Sequence, residues 1–387
     1  MKTANSFVAV LLFSIAILRA QPQLSSEAYI SLLTCSPGKE LYEAFGHSAL
    51  RVFDPVNKID FTYNYGTFDF DQPGFYSNYA KGRPVFMLSV SHTRYFINAY
   101  VLDNRSVFQD ILNLTPEQNQ KLFELLEENY EPENRNYRYD YIYDNCSTRL
   151  HDMLVKVLNG NVVFDSSHIH PSYSFRGLMD LYLKNQPWGD LAIDLALGSE
   201  IDAQAKPYRY MFLPDFLQSG FKNAKIRTGD SLLPLVKNST VVFKAESEET
   251  RKSFFTPAVI FCFPFFLFLL KTFFDFRKQK ISFAADVIFF FMVGLTGVLL
   301  AYISFFSDHH AKGNYNLLWA MPAHLPFALL LPFKKMKWVR FYFLAAAILA
   351  VGVLAGGFTF LPQQMHGAII PLILTVAMRA FVISRKM

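Results

Sequence analysis

Cysteine is scarce in this sequence: there are three, Cys35, Cys146 and Cys262, among 387 residues. Cys262 lies in an apolar run, which indicates packing or contact with lipid. Cys35 and Cys146 could form a disulfide if their domain is exported, but that bond would consume the thiol of Cys146, whose position favours a reactive role. The sequence therefore allows at most one disulfide outside its apolar half.

Several catalytic signatures are also absent. The chain has no His-Glu-x-x-His, no Walker loop, no Gly-x-Gly-x-x-Gly after a strand and no Gly-x-Ser-x-Gly elbow. His168 and His170 could bind a metal, but no cluster of carboxylates or cysteines completes a site around them. The sequence therefore predicts neither a metal nor a cofactor.

Long apolar runs are missing from residues 21–253, where 23 Lys and Arg stand against 29 Asp and Glu. Such runs dominate residues 254–387, which carry 12 Lys and Arg and only 3 Asp and Glu. A nucleic-acid-binding domain needs a basic surface, and the soluble half is acidic. No nucleic-acid partner is expected, and the second half is predicted to be membrane-embedded.

That second half contains about five apolar segments of roughly 17–22 residues, the length that crosses the hydrocarbon core of a bilayer. They lie near 254–270, 283–305, 315–333, 341–360 and 367–384. Most basic residues of this half fall in alternate loops and the tail: Lys271, Arg277, Lys278, Lys280, Lys334, Lys335, Lys337, Arg340, Arg385 and Lys386. The positive-inside rule makes these loops cytoplasmic and places residues 21–253 on the opposite side.

The N-terminus supports export. Lys2, the apolar residues 7–18 and Ala20 have the order of a secretory signal, and an uncleaved anchor helix is the alternative. We therefore divide the chain into a signal peptide (1–20), an exported domain (21–227), a charged and Ser/Thr-rich linker (228–253) and a transmembrane domain (254–387).

The exported domain is organised around residues 137–158. Aromatic residues alternate with others over 137–143, which predicts a strand, and apolar residues then recur at helical spacing up to Leu158. Asp144 and Asn145 are natural N-caps at the junction. Cys146 therefore falls in the first turn of a helix, where unpaired backbone N–H groups favour the thiolate. We interpret Cys146 as a nucleophile.

His47 is the expected base. It lies on a predicted strand (46–53) that forms a hairpin with a second strand (59–65). A helix N-terminus contributes only roughly 0.3–2 kcal/mol to a thiolate, whereas an imidazolium ~3.5 Å away contributes about 4–5 kcal/mol at an effective dielectric constant of ~20. The histidine is therefore the larger effect, although a histidine hydrogen-bonded in the core remains the alternative.

A third group should orient the imidazole. Asn64, in the neighbouring predicted strand, is the candidate, and Tyr63 and Tyr65 compete with it. In the alternative interpretation these are ordinary strand residues.

The loop 307–316 is predicted to face the same side of the membrane as the exported domain. His309, His310 and Asn314 in this loop could help to bind a lipid substrate at headgroup level. Ordinary solvated loop residues are the alternative.

Three stretches, 46–51, 64–70 and 139–149, resemble the Lnb-type bacterial lipoprotein N-acyltransferase family, and the likeness extends to 197–202 and 212–215. The exported domain is also similar to circularly permuted papain-like thiol acyltransferases and peptidases, in which the histidine strand precedes the cysteine helix. The resemblance implies an α+β exported domain, with an antiparallel sheet packed on a Cys-bearing helix, followed by an all-α transmembrane bundle of about five helices.

The resemblance also implies catalysis by Cys146 and His47. Among the papain-like relatives, those of lecithin:retinol acyltransferase place a second histidine where this chain offers Asn64. Tyr65 and Arg149, in the shared motifs, are expected to contact substrate. The implied activity moves an acyl chain from a membrane phospholipid, through a Cys thioester, to the α-amine of a diacylglyceryl-Cys lipoprotein.

The expected location is the inner membrane, with the catalytic domain in the periplasm. The alternatives are a membrane-tethered cysteine peptidase or amidase acting on the cell wall, and a non-catalytic envelope protein.

Overall fold

The computed structural model describes residues 22–166, 169, 172–246, 254–278, 281–333 and 337–386. The predicted signal peptide (1–20) lies outside these residues, as do His168 and His170. The described residues form an α+β part with an antiparallel sheet (within 22–246), followed by a helical part (within 254–386). The α+β part is called the exported part below. This order and these two classes of structure are as predicted.

In the part of the chain that the structure describes, the large sheet is antiparallel and has seven strands, in the order β10-β5-β1-β2-β3-β4-β6, while β7, β8 and β9 form a smaller sheet. The strands are β1 (Tyr29–Cys35), β2 (His47–Asp54), β3 (Ile59–Thr67), β4 (Val85–His92), β5 (Val107–Leu112), β6 (Asn136–Arg138), β7 (Val162–Val163), β8 (Lys225–Thr228), β9 (Ser231–Pro234) and β10 (Val236–Phe243).

Within the described ranges, seven helices accompany these sheets, and five more follow in the helical part. They are α1 (Phe75–Ala80), α2 (Thr93–Leu102), α3 (Pro116–Tyr130), α4 (Cys146–Val157), α5 (Phe175–Leu183), α6 (Pro187–Ala196), α7 (Pro214–Asn223), α8 (Pro257–Lys278), α9 (Ala284–Phe306), α10 (His324–Leu330), α11 (Val339–Gly356) and α12 (Ile370–Lys386). Short 3₁₀ turns cover Leu41–Glu43, Ser199–Asp202, Pro207–Phe212, Tyr315–Leu318 and Gly367–Ile369.

The two faces of the large sheet are covered by different helices, because successive side chains of a strand point to opposite faces. Leu33 and Cys35 of β1 pack with Phe96 of α2. Leu32 of the same strand belongs to the main core, which includes Leu122 of α3 and residues of α4 and α7. The helix that carries Cys146 therefore lies on one face of the sheet, and α2 lies on the other.

Two segments differ from the sequence-based expectation. Residues 231–243 of the predicted linker (228–253) form β9 and β10, and β10 pairs along β5 at the edge of the sheet. Most β10 side chains are exposed, so this strand is held by backbone hydrogen bonds and needs no apolar pattern. The predicted strand 137–143 ends at Arg138, because Asp140 and Asp144 exchange backbone hydrogen bonds across a tight turn.

The helical part agrees with a membrane domain. Among the described residues, four helices are long and apolar enough to cross a membrane: Pro257–Lys278, Ala284–Phe306, Val339–Gly356 and Gly367–Lys386. The third predicted segment (315–333) is instead divided into a 3₁₀ turn and α10, with Pro322 between them and Pro326 inside α10. The seven residues of α10 rise only about 10 Å, which is too short to cross ~30 Å of hydrocarbon.

The two parts meet at one end of the large sheet. Arg83, just before β4, and Arg138, at the end of β6, both bind Asp308 at 2.7 Å. Asp308 follows the last residue of α9 by two positions, so this contact joins the sheet to the end of a membrane-crossing helix. The start of β2, at His47, lies at the same end of the sheet.

Candidate active site

Cys146 and His47 meet at the end of the sheet that faces the helical part. The ring of His47, the first residue of β2, lies close enough to the Cys146 sulfur that charge and hydrogen bonding between the two side chains shift the pKa of each. The backbone N–H of Ser48 also helps to lower the pKa of the Cys146 thiol. Two segments separated by 99 positions thus bring a thiol and an imidazole together.

Asn145 fixes the start of the cysteine helix. Its side-chain oxygen accepts hydrogen bonds from the backbone N–H groups of Ser147 and Thr148, and the Thr148 hydroxyl accepts one from the backbone N–H of Asn145. The Asn145 amide also donates to the carbonyls of Tyr141 and Phe212. This capping box orders the first turn of α4, so Cys146 is held in one position with 8% of its surface exposed.

The two groups ionise each other. Burial alone would raise the pKa of the Cys146 thiol, but the charge and hydrogen bond of His47 outweigh it, so this pKa lies below its usual value. Burial likewise would lower the pKa of His47, and the charge and hydrogen bond of the Cys146 thiolate, followed by the hydrogen bond to Asn64, raise it instead. The pair therefore favours a thiolate and an imidazolium.

Asn64 holds the other side of the imidazole. The Nε2 of His47 donates to Asn64 Oδ1 at 2.5 Å, from one strand to the next. Tyr100 of α2 lies parallel to the His47 ring, with 6.5 Å between the ring centroids. The imidazole is thus fixed by a thiol, an amide and an aromatic ring, and the amide fixes it without adding a charge.

Gly66 makes the meeting of these groups possible. Its φ is +89°, and a Cβ there would lie 3.7 Å from the Cβ of Cys146 and 3.8 Å from Cε1 of His47. The pairing of β3 with β4 shifts register between Asn64 and Thr67, which marks a bulge at this glycine. A side chain at 66 would strain the backbone and fill the space between thiol and imidazole.

Tyr65 and Arg149, expected to contact substrate, have other partners. Tyr65 is 1% exposed, and its hydroxyl donates to the sulfur of Met153 in the core. Arg149 binds both carboxylate oxygens of Asp144, at 2.6 and 2.8 Å, and lies over the ring of Tyr137. Strand alternation turns Tyr65 into the core, and Arg149 braces the turn before Cys146, so contact of either residue with substrate stays a prediction.

The loop 307–316 is a joint between the two parts of the molecule. His309 donates to the carbonyl of Tyr79 and His310 to the carboxylate of Asp140, both at 2.9 Å. Asn314 is buried and donates to the carbonyl of Leu195 at 2.7 Å. These three residues make structural contacts with the exported part, whereas the sequence suggested contact with a lipid substrate.

A group of three carboxylates has the spacing of a possible cation site. Ligand oxygens of Asp180, Asp190 and Asp194 lie within 4.8 Å of one another. Asp194 is already neutralised by Arg176, whose Nη1 lies 2.6 Å from its carboxylate. The group belongs to α5 and α6 and contributes no residue to the contacts around Cys146 described above.

Sequence reasoning missed Gly66 and Tyr100 as parts of this site. The signal for Gly66 was available, because a glycine inside a strand pattern often marks a bulge or a close approach of other groups. Tyr100 gave no signal, since it depends on how α2 folds back over the sheet.

Comparisons with known proteins agree with the two-part architecture. Residues 20–180 match the family model of the Lnb N-terminal periplasmic domain, and residues 249–387 match that of the Lnb transmembrane domain. No significant match is found among curated proteins or solved structures. The chain is therefore a membrane protein with a periplasmic portion, and it belongs to the Lnb-type family.

Proposed function

We propose that this protein is a thiol acyltransferase that N-acylates lipoproteins. The Cys146 thiolate attacks the carbonyl of a phospholipid ester, and a thioester forms while the alcohol of the lysophospholipid leaves with a proton from His47. The α-amine of a diacylglyceryl-Cys lipoprotein then attacks the thioester. His47 takes the proton of that amine, an amide forms, and Cys146 leaves as the thiolate.

One observation carries the proposal: Cys146 and His47 lie together at the end of the sheet that is joined to the membrane helices, and each shifts the pKa of the other towards the charged form. A nucleophile must be ionised at working pH, and the imidazolium provides this. Both substrates carry acyl chains and stay in the bilayer, so a site close to the membrane is where they would react. Asn64 is proposed to keep the imidazole aligned with the sulfur.

The tetrahedral intermediate needs hydrogen-bond donors for its oxyanion. The N–H groups of Ser147 and Thr148 already bind the Asn145 side chain and do not serve this purpose. The backbone N–H of Cys146 is the proposed donor, because a helix provides no intrahelical acceptor for the first N–H groups.

The corresponding location is the inner membrane, with the catalytic domain in the periplasm. Mass spectrometry of lipoprotein N-termini, in cells carrying the wild-type protein or Cys146→Ala, tests the proposal. We expect the N-terminal acyl chain of the lipoproteins to disappear in Cys146→Ala. It should remain in Cys262→Ala, the control variant, which removes a thiol elsewhere in the chain. Unchanged lipoprotein N-termini with altered cell-wall peptides would favour the amidase alternative, and a fully functional Cys146→Ser would favour a non-catalytic protein.

A further inference from the structure

The exported part exposes a band of large apolar side chains at its membrane-facing end. Five residues of the 3₁₀ turn Leu41–Glu43 and of the segment between β3 and β4 are each between 40% and 70% exposed. We call them the apolar rim: Leu41, Tyr42, Phe70, Tyr76 and Tyr79. In a water-soluble surface such a cluster is costly, and clusters of this kind usually mark a binding surface.

Aromatic rings in mutual contact connect the rim to the surroundings of the nucleophile. Phe70 contacts Phe68, Phe68 contacts Phe86 and Phe86 contacts Tyr139, with centroids 5.0, 4.8 and 4.3 Å apart. The Cε2 of Tyr139 lies 3.9 Å from the position of a Cβ on Gly66, beside Cys146. A continuous series of contacting aromatic side chains therefore leads from the exposed rim to the position beside Cys146.

The rim is also continuous with the membrane helices on both of its sides. On one side, the backbone carbonyl of Tyr79 accepts a hydrogen bond from His309, and that of Lys81 accepts one from Asp308, just after α9. On the other, Leu41 lies against Gly189 of α6.

Trp188, the neighbour of Gly189 in α6, contacts Phe261 of α8, with 6.0 Å between the ring centroids. The rim is thus held near the ends of two helices that are long and apolar enough to cross a membrane.

We propose that the apolar rim lies among the phospholipids of the membrane's periplasmic leaflet and admits an acyl chain to Cys146. Tyrosine and other amphipathic aromatic side chains favour this interfacial depth, where the ring is apolar and the hydroxyl remains hydrated. The occupant is a phospholipid of the surrounding bilayer, because the rim continues from the membrane helices themselves. Delivery of the acyl chain to Cys146 rests on the proposed function, whereas contact with lipid does not.

Lipid contact is tested by tryptophan fluorescence in nanodiscs that contain brominated phosphatidylcholine. Tyr76→Trp introduces the reporter into the rim, and Tyr95→Trp is the matched control, since the two tyrosines are 70% and 72% exposed on short helices. Tyr95 lies beyond the far end of β4, roughly 23 Å along that strand from the rim side. Relative to the parent protein, we expect additional quenching only for Tyr76→Trp. Equal quenching of both reporters, or of neither, would overturn the proposal.

Delivery of the acyl chain is tested with the double variant Tyr42→Ser/Phe70→Ser and with Tyr95→Ser as its control. The loss of two apolar side chains should reduce transfer from a long-chain phospholipid in vesicles at least about tenfold. Alkylation of Cys146 by iodoacetamide should stay unchanged, which reports an intact site. Undiminished transfer would exclude delivery through the rim. Reduced transfer without additional quenching in the Tyr76→Trp variant would indicate that the rim binds a protein partner, and it would overturn the proposal.

The two proposals fail in different ways. If the wild-type protein transfers no acyl chain, the proposed function fails, while the quenching of Tyr76→Trp still decides whether the rim contacts lipid. If the double variant does not fold, the conservative Tyr76→Trp variant still gives that decision.

Discussion

The end of β1 and the start of α4 each bury a cysteine, and the two thiols have opposite properties. Cys35 lies directly opposite His47 in the sheet, and Cys146 contacts the same histidine from the helix. Burial raises the pKa of Cys35 far above its usual value, and the charge of Arg105 and the hydroxyl of Tyr100 reduce this effect only in part. The pKa of Cys146 is lowered although it, too, is buried.

The difference shows what makes a buried thiol reactive. Burial opposes the thiolate at both positions, so it does not distinguish them. The charge and hydrogen bonding of the His47 ring and the backbone N–H of Ser48 lower the pKa of Cys146, which also begins a helix. Cys35 lies within a strand pair whose backbone N–H groups serve the sheet. The chemistry of this site therefore depends on the donors around the sulfur.

The largest difference between the two cysteines is expected in acyl transfer when each thiol is removed in turn. Cys146→Ala should reduce acyl transfer by at least about 10³-fold, since no other group forms the thioester. Cys35→Ala should leave transfer within about threefold of wild type, because its neutral thiol only packs. A quantitative transfer assay in lipid vesicles measures both. Equal losses would show that the two cysteines act together.

Removal of the imidazole should make Cys146 resemble Cys35. In His47→Ala, burial is no longer opposed by the imidazolium, so the pKa of Cys146 should rise above its usual value. The rate of alkylation by iodoacetamide, followed over a range of pH, measures this pKa. Transfer should fall by about 10²–10⁴-fold. An unchanged alkylation profile would mean that His47 does not ionise the thiol.

Substitution of Asn64 should reduce the transfer rate less than loss of the His47 imidazole. Asn64→Ala removes a hydrogen bond that raises the pKa of His47, so the alkaline limb of the pH–rate profile should move to lower pH, with a loss of about tenfold. Asn64→Asp adds a negative charge and should move the same limb to higher pH. If Asn64 had only a structural role, both variants would lower the rate and the alkaline limb would not move in opposite directions.

Loss of His310, a half-buried histidine in the joint between the two parts, should have the smallest effect. Burial lowers the pKa of His310, but the hydrogen bond and charge of Asp140 raise it overall. The protonated form therefore stabilises the joint fully below about pH 6.5, the usual pKa, and this stabilisation is lost as pH rises through the raised pKa. His310→Gln should remove about 1–2 kcal/mol at low pH. Thermal unfolding of the two proteins at several pH values measures this, and an equal difference at every pH would contradict it.

The sequence predicted those parts of the site that depend on local pattern. Cys146 begins a helix because Asn145 caps it, and a strand beginning near His47 follows from its apolar alternation and flanking turn. The contact between Asn64 and His47 required only that two neighbouring strands pair. These features are set by a few adjacent residues, so a single sequence is enough to indicate them.

The remaining features depend on tertiary contacts that a single sequence does not display. His309 and His310 look like solvated loop residues until the loop is seen against Tyr79 and Asp140. The edge strand β10 has the composition of a linker because its side chains are exposed. The 315–333 segment has the apolar content of a membrane span, yet its prolines divide it.

The most direct test of the central claim is to detect an acyl group on Cys146 itself. The purified protein would be incubated with phospholipid vesicles in the absence of a lipoprotein acceptor, digested, and analysed by mass spectrometry. The account predicts a hydroxylamine-sensitive acyl adduct on the peptide that contains Cys146, none on the peptide that contains Cys35, and none at either position in His47→Ala. An adduct on Cys35, or no adduct on Cys146 in a protein that transfers acyl chains, would contradict it.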